Sequence, residues 1–279
     1  MRFTARWHGE FKASVGSFAN VARFIYPEAG SASGYYDFLK KQYEDGMKVA
    51  QSSENKVRIP KILHQIWMGS GSKIPANLLE LRKTFLDNHP GWQHKLWTDD
   101  DLKKFDFVNK ELFFAAKTYG ERSDIWRYEI LYKFGGVYAD MDFICYKPLD
   151  DFNKAFDFYV GIHPVDGAFI GLNNAFIACV PGHPILKYAI DYFPTMKAQE
   201  KIIRSEISPH IYASGPVLIT RAFYMAYGTG NYRNIALPTT YFYPMGLSER
   251  RQSPSIFERP ESYVMHLWHG TCHRASKKD

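Results

Sequence analysis

Cysteine is scarce. Cys145, Cys179 and Cys272 are an odd number at spacings that fit neither a disulfide framework nor a zinc site, so a reducing compartment is the simplest setting. No apolar run approaches the roughly 20 residues of a membrane span. The start, Met1-Arg2-Phe3-Thr4-Ala5-Arg6-Trp7-His8, leads into no uninterrupted apolar segment of signal-peptide length. The expectation is a cytoplasmic protein, soluble or peripheral on a membrane. Repeats and low-complexity tracts are also missing, which excludes solenoids and long disordered linkers. What remains is 279 residues, 46 % hydrophobic and 16 % aromatic, enough to bury the core of one generous domain with or without an appendage. A formal net charge of +6 favours anionic partners. Nucleotide sugars, anionic lipids and nucleic acid all qualify by charge, but no nucleic-acid motif is present and no nucleic-acid partner is expected.

The most informative stretch runs from Arg122 to Cys145. It reads as a helix over 123–134, a glycine pair that stops it, and a strand over 137–146. Residues two apart on a strand share a face, so Asp140 and Asp142 project together while Met141 and Phe143 enter the core. Two adjacent carboxylates repel unless a cation or a basic group relieves them, which makes the pair a candidate divalent-metal site. Asp124 and Arg127, three apart on the helix, share a face and can be carried to the same place. The spacing alone is weak. Asp99-Asp100-Asp101 has it too, yet follows Trp97-Thr98 and precedes Leu102-Lys103, the pattern of an acidic helix N-terminus.

Elsewhere the pattern alternates. Phe11, Val15, Phe18, Ala22 and Ile25, then Tyr36, Leu39, Tyr43, Met47 and Ala50, predict two amphipathic helices around a break at 27–33. They either pack on the main domain or, with Arg2, Arg6, Lys12 and Arg23 near the first, place residues 1–30 on an anionic membrane. A first buried strand at 62–67 ends in a Gly/Ser turn at 70–72. A helix over 76–88 and a strand over 93–97 follow, giving a doubly wound, Rossmann-type sheet. Further strands are expected at 158–162, 168–172 and 174–178, helices at 184–192, 195–210 and 217–227, and a last strand at 263–268. Residues 243–260, rich in Pro, Ser and Arg, predict a mobile lid over a substrate. There Arg250 and Arg251 are either a diphosphate clamp or a solvated pair.

Five blocks, Ile59-Pro60-Lys61-Ile62-Leu63-His64-Gln65-Ile66-Trp67, Trp97-Thr98-Asp99, Ser123-Asp124-Ile125-Trp126-Arg127-Tyr128-Glu129-Ile130-Leu131-Tyr132, Gly135-Gly136-Val137-Tyr138-Ala139-Asp140-Met141-Asp142 and His266-Leu267-Trp268, occur in an order that resembles the glycosyltransferases with an Asp-x-Asp sugar-binding region, family 32 type. That group includes the initiating α-1,6-mannosyltransferase of yeast outer chains, lactosylceramide α-1,4-galactosyltransferase and bacterial capsular polysaccharide enzymes. More distantly it includes the catalytic domains of large glucosylating toxins. The resemblance implies an α/β, GT-A-like single domain with a mixed central sheet over 56–279, and a helical appendage over 1–55. It implies a retaining, metal-dependent hexosyltransferase that takes a hexose from GDP-mannose or a UDP-hexose to a glycan, glycolipid or protein. Asp142, Asp140 and His266 would hold Mn²⁺, or Mg²⁺ as second choice. Asp124, Arg127 and Asp140 would contact the donor, with its base near Gln65, Ile66 and Trp67 and with Trp268 alongside. Asn174 and Asp166 would lie toward the acceptor. As plainer alternatives, Trp67 is a core aromatic, Asn174 bonds to backbone and His266 is a satisfied core residue. Two other classes stay open: a Mg²⁺-dependent phosphohydrolase of the haloacid dehalogenase type, and a sugar- or nucleotide-binding effector or scaffold without turnover.

Overall fold

A computed structural model describes residues 32–51, 56–69, 73–163, 171–203 and 209–270. The first expected amphipathic helix, the turn at 70–72, the 168–170 part of a predicted strand, Asp166 and Cys272 lie outside the described residues. In chain order the elements are α1 (Ala32–Gln51), β1 (Ile62–Ile66), α2 (Ala76–Asn88), β2 (Gln93–Trp97), α3 (Asp99–Leu102), α4 (Lys110–Ala115), α5 (Tyr119–Phe134), β3 (Gly136–Ala139), β4 (Phe143–Cys145), α6 (Asp150–Ala155), β5 (Phe158–Ile162), β6 (Leu172–Cys179), α7 (Pro184–Ile203), α8 (Pro209–Ala213), α9 (Pro216–Ala226), β7 (Asn234–Leu237), α10 (Thr239–Phe242) and β8 (Val264–His266).

Six strands form one sheet in the order β2-β1-β3-β6-β5-β7. Pairing is parallel across β2, β1 and β3 and between β5 and β7, and antiparallel where β6 meets β3 and β5. This is the mixed α/β sheet expected from the sequence. The inner strands and β7 are buried on both faces, and β3 and β5 read as nearly continuous apolar runs, whereas the edge strand β2, Gln93–Trp97, is buried only at Trp97. Alternation sorts them: Tyr138, Phe158 and Val160 join a core with Trp126, Leu186 and Phe223, while Val137, Ala139 and Tyr159 join another with Phe85, Phe152 and Phe242. Helix α1 buries Leu39, Tyr43 and Met47. Its Gln42 donates to Ala236 O at 2.9 Å and accepts from Ala236 N at 2.8 Å, so a side-chain amide pairs with β7 where another strand otherwise would.

Several expectations are corrected. The strand over 137–146 is two strands: β3 ends at Ala139, the chain turns through 140–142, and β4 joins β8 in a separate two-stranded sheet. Helix α5 starts four residues before the expected Ser123, because Thr118 caps it by accepting from Glu121 N at 3.1 Å. The expected pair at 168–172 and 174–178 has one strand, β6, among its described residues. The helix from 184 does not stop at Tyr192, and α7 runs through Pro194 into the stretch expected as a separate helix. Buried Phe193 and Met196 anchor it on either side of the proline, which lies on an exposed position. The last strand is only Val264–His266, because Trp268 adopts φ 55. Residues 243–260 contain two 3₁₀ turns, Leu247–Glu249 and Pro254–Ile256, with Tyr243, Met245 and Phe257 buried.

Two buried histidines tie the sheet to its helices as neutral rings. His64 Nδ1 accepts from Trp97 Nε1 at 3.1 Å, so Nε2 is the donor to Gly135 O at 2.9 Å. His183 Nδ1 accepts from Ile185 N, and Nε2 donates to Asn234 Oδ1 at 2.9 Å. Burial lowers both rings from 6.5 to about 4. The folded state therefore resists a proton that the unfolded chain accepts. Their stabilisation is complete above pH 6.5 and is lost as pH falls toward 4. Urea unfolding should show a loss of about 2 kcal/mol per histidine between about pH 7 and about pH 5. His64→Gln, which offers the same acceptor and donor, should remove half of that slope; an unchanged slope would refute the assignment.

Candidate active site

Helix α5 delivers Asp124 and Arg127 to the end of β3. It stops where it does because Gly135 takes φ 64 and donates to Leu131 O at 2.8 Å. Gly136 follows at φ 95, and a Cβ there would lie 2.6 Å from Ile62 O, so only glycine lets β3 run this close to β1. Asp140 still pairs with β6, through its N–H to Ala175 O at 2.9 Å, and shares the face of Tyr138. Its Oδ1 accepts from Tyr138 Oη at 2.5 Å and lies 3.3 Å from Arg127 Nη2.

Arg127 is only 4 % exposed. Its Nη2 also lies 3.1 Å from Asp124 Oδ1, its Nη1 donates to Asn174 O at 2.9 Å, and its guanidinium packs 4.5 Å from the Tyr138 ring centre. Burial works against this charge, but Asp140, Tyr138 and Asp124 outweigh it and raise the pKa. Asp124 is itself fully engaged. Its Oδ1 accepts from Asn174 Nδ2 at 2.7 Å and its Oδ2 from Ser214 Oγ at 2.9 Å. Tyr128 fixes that serine by donating to Ser214 O at 2.8 Å.

Asp142 is placed by different means. Strands β4 and β8 pair antiparallel with Phe143 opposite His266, and the two rings stack at 4.5 Å with planes 7° apart. Trp268 covers the imidazole from 4.1 Å and is itself held by its Nε1 donating to Met245 O at 2.9 Å. The imidazole Nε2 then lies 3.0 Å from Asp142 Oδ1, and His269 N donates to Asp142 Oδ2 at 2.9 Å. Burial pushes the Asp142 carboxyl up, but His266 and the His269 amide pull it down to about 2, so it is ionised at neutral pH. Asp140 is raised, by burial and then by the charge of Asp142, with Arg127 opposing.

Asp140, Asp142 and His266 each offer a ligand atom within 4.8 Å of the others. The 3.0 Å between Asp142 Oδ1 and His266 Nε2 matches the separation of about 3 Å between adjacent ligands in an octahedral shell with bonds of about 2.1 Å. Asp142 has its second oxygen oriented by the backbone amide of His269. The donor set therefore fits a divalent cation.

A family model described as a glycosyltransferase sugar-binding region containing a DXD motif matches residues 75–159. Residues 75–159 are thus similar to a DXD glycosyltransferase sugar-binding region. Asp99-Asp100-Asp101 and Asp140-Met141-Asp142 both lie within it, and the second is the one gathered with His266. Among curated relatives, an uncharacterized glycosyltransferase of Acanthamoeba polyphaga mimivirus is 33 % identical over 135 residues, 47 % of this chain and 53 % of that protein. Inositol phosphoceramide mannosyltransferase 1 of Schizosaccharomyces pombe is 32 % identical over 182 residues, 62 % of this chain and 53 % of that protein. The chain thus spans about half the length of these relatives. Among solved structures, the catalytic domain of the α-toxin from Clostridium novyi superposes with a TM-score of 0.49 at 11 % identity, covering 90 % of this chain and 86 % of that one.

Of the residues singled out from sequence, the fold gathers Asp124, Arg127, Asp140 and Asn174 in one network and Asp140, Asp142 and His266 in another. Gln65 and Ile66 are buried at the end of β1, with Gln65 Oε1 accepting from Arg82 Nη1 at 2.5 Å, and Trp67 follows, its N–H on Trp97 O. Arg250 donates to Leu247 O at 2.9 Å. Sequence reasoning gave Tyr138 no role, although it lies two residues before Asp140 on one strand. Ser214 falls in Ala213-Ser214-Gly215-Pro216, which resembles a turn near the diphosphate in the glycosyltransferases named above, but its bond to Asp124, ninety residues away, had no local signal.

Arg127→Met would leave Asp124 and Asp140 without their cation, and should cost about 3 kcal/mol or more in urea unfolding. Asp140→Asn, which keeps Arg127 paired with Asp124, should cost about 1 kcal/mol. Equal losses for the two variants would mean that Arg127 does not hold the network.

Proposed function

We propose that this chain transfers a hexose, with mannose first, from a nucleotide-diphosphate donor to an acceptor glycan, glycolipid or protein, with retention of anomeric configuration. The observation that carries the reading is the convergence of both carboxylates of the DXD region with His266. A bound divalent cation supplies charge neutralisation on the leaving diphosphate and fixes its position. Asp142, His266 and Asp140 hold it, and the imidazole favours a borderline ion, Mn²⁺ before Mg²⁺.

Asp140 and Arg127 form the wall between this site and the buried Asp124–Asn174 pair, and we assign to that wall the contacts with the donor's sugar hydroxyls. Gln65, Ile66 and Trp67, at the carboxyl end of β1, are assigned to the base, where nucleotides bind in open α/β sheets. Trp268 flanks the donor beside His266, and Asn174 and Asp166 are assigned to the acceptor. Retention follows the family resemblance, by front-face attack with the leaving phosphate accepting the acceptor's proton. Mannose ranks first because one relative is named for transferring it, and GDP-mannose and UDP-hexoses are the donors to test. A phosphohydrolase of the haloacid dehalogenase type is disfavoured, since it carries its Asp pair after the first strand and here the pair follows β3.

Release of nucleoside diphosphate from a panel of GDP- and UDP-sugars should be seen with Mn²⁺ and abolished by EDTA. Asp142→Asn should lower it by about a hundredfold or more. Silence across the panel, with no nucleotide binding by calorimetry, would favour a binding protein without turnover. A β-linked product from an α-linked donor, assigned by NMR, would overturn retention.

A further inference from the structure

The segment that follows the buried Tyr243 and Met245 repeats one small device. Leu247-Ser248-Glu249-Arg250 and Ile256-Phe257-Glu258-Arg259 share the pattern aliphatic, any residue, Glu, Arg. Leu247 opens one 3₁₀ turn and Ile256 closes the other. In each copy the arginine folds back on the carbonyl of the aliphatic residue three positions earlier: Arg250 Nη1 donates to Leu247 O and Arg259 Nη1 to Ile256 O, both at 2.9 Å. A guanidinium is thereby held beside an aliphatic side chain that faces water. Leu247 is 46 % exposed and Ile256 58 %, among the most exposed large hydrophobic residues described.

An exposed leucine or isoleucine alone needs no explanation. Two of them, each flanked by its own arginine and both on one fifteen-residue excursion, are a pattern. Arg250, Arg251 and Arg259 are exposed and none forms an ion pair with a described residue; of the segment's two acids, Glu249 is turned inward to cap Gly246 N at 2.8 Å and Glu258 is exposed, so the cations outnumber the acids. Lys147 adds a further cation at the base, where its Nζ donates to Pro260 O. The excursion is rigidly rooted. Phe257 and Met245 pack with Met265 and Leu267, on either side of His266 in the strand and the residues that follow it.

Apolar tips that enter the acyl boundary, with cations at the level of lipid phosphates, are what an interfacial segment needs. We infer that residues 246–260 seat the protein on an anionic phospholipid bilayer, with Leu247 and Ile256 inserted and Arg250, Arg251 and Arg259 on the headgroup phosphates. The inference is independent of the transfer reaction, because vesicle binding is read without donor or acceptor. It also differs from a membrane role for residues 1–30, which the same experiment separates.

The full chain should co-sediment with vesicles of phosphatidylcholine mixed with phosphatidylserine, and much less with phosphatidylcholine alone. Leu247→Ser combined with Ile256→Ser should weaken that binding by about tenfold, from lost apolar insertion. Arg251→Gln, which breaks no hydrogen bond or ion pair among the described residues, should weaken it by about fivefold and reduce its salt dependence. Both variants alter exposed positions, and unchanged thermal melting would verify their fold. Absence of binding to the mixed vesicles would overturn the inference. So would binding that neither variant weakens, which would assign the membrane contact to another part of the chain.

Discussion

A guanidinium cannot be buried without partners, and the site is built around one that is. Arg127 stands between Asp124 and Asp140, on the ring of Tyr138 and under the carbonyl of Asn174, so one side chain joins α5, β3 and β6. Removing Arg127 itself leaves two carboxylates without their cation in a low-dielectric interior, a cost of several kcal/mol. That constraint explains why the polar residues behind Asp140 are satisfied almost atom for atom. Asp124 has both oxygens bonded, and the loop carrying Ser214 is drawn in by Tyr128 to supply one of those bonds. The network fixes Asp140 in direction, with one oxygen held by Tyr138 and Arg127.

The second half of the site comes from the far end of the chain. β3 cannot continue through the Asp pair, because its ladder with β6 ends at Ala139 and the chain must turn. The strand resumes as β4 with a new partner, β8, and that change of sheet brings His266 within hydrogen-bond distance of Asp142, 124 residues earlier. Phe143 contributes directly: as the cross-strand neighbour of His266 it sets the plane of the imidazole, which Trp268 covers from beside it. Trp268 reaches that position only by taking a positive φ, a conformation unusual outside glycine, held here by its indole bond to Met245.

Much of this was legible in the residues, but for uneven reasons. Asp124, Arg127, Asp140 and Asp142 lie within nineteen residues of one another, where helix and strand periodicity are enough to place them near each other. The glycine pair announced its turn because both positions need φ above zero. Yet the alternation argument reached the right neighbours by a wrong route, since Asp140 ends one sheet and Asp142 precedes another. Apolar periodicity cannot show where a strand changes partners. The same limit hid the length of α7, where buried faces on either side of Pro194 carry one helix past the boundary expected at Tyr192. The bond from Ser214 to Asp124 was invisible for the reason that any single long-range hydrogen bond is: nothing in its own neighbourhood requires it.

The two halves also differ in what their residues can be asked to report. Arg127 and Asp124 are buried and mutually bonded, so substitutions there perturb folding and chemistry together and cannot separate them. Asp142 sits in the turn between sheets, and its outer oxygen is held by a backbone amide of His269 rather than by another ionised side chain. An asparagine there keeps the volume and can keep the amide bond through its carbonyl oxygen, while its side chain loses the charge that a cation requires. The strand pairing that places His266 is carried by Phe143, Ile144 and Cys145 with their partners and does not depend on the carboxylate. Asp142 is therefore the position at which loss of chemistry can be read apart from loss of structure, although the more deeply bonded Arg127 organises the site.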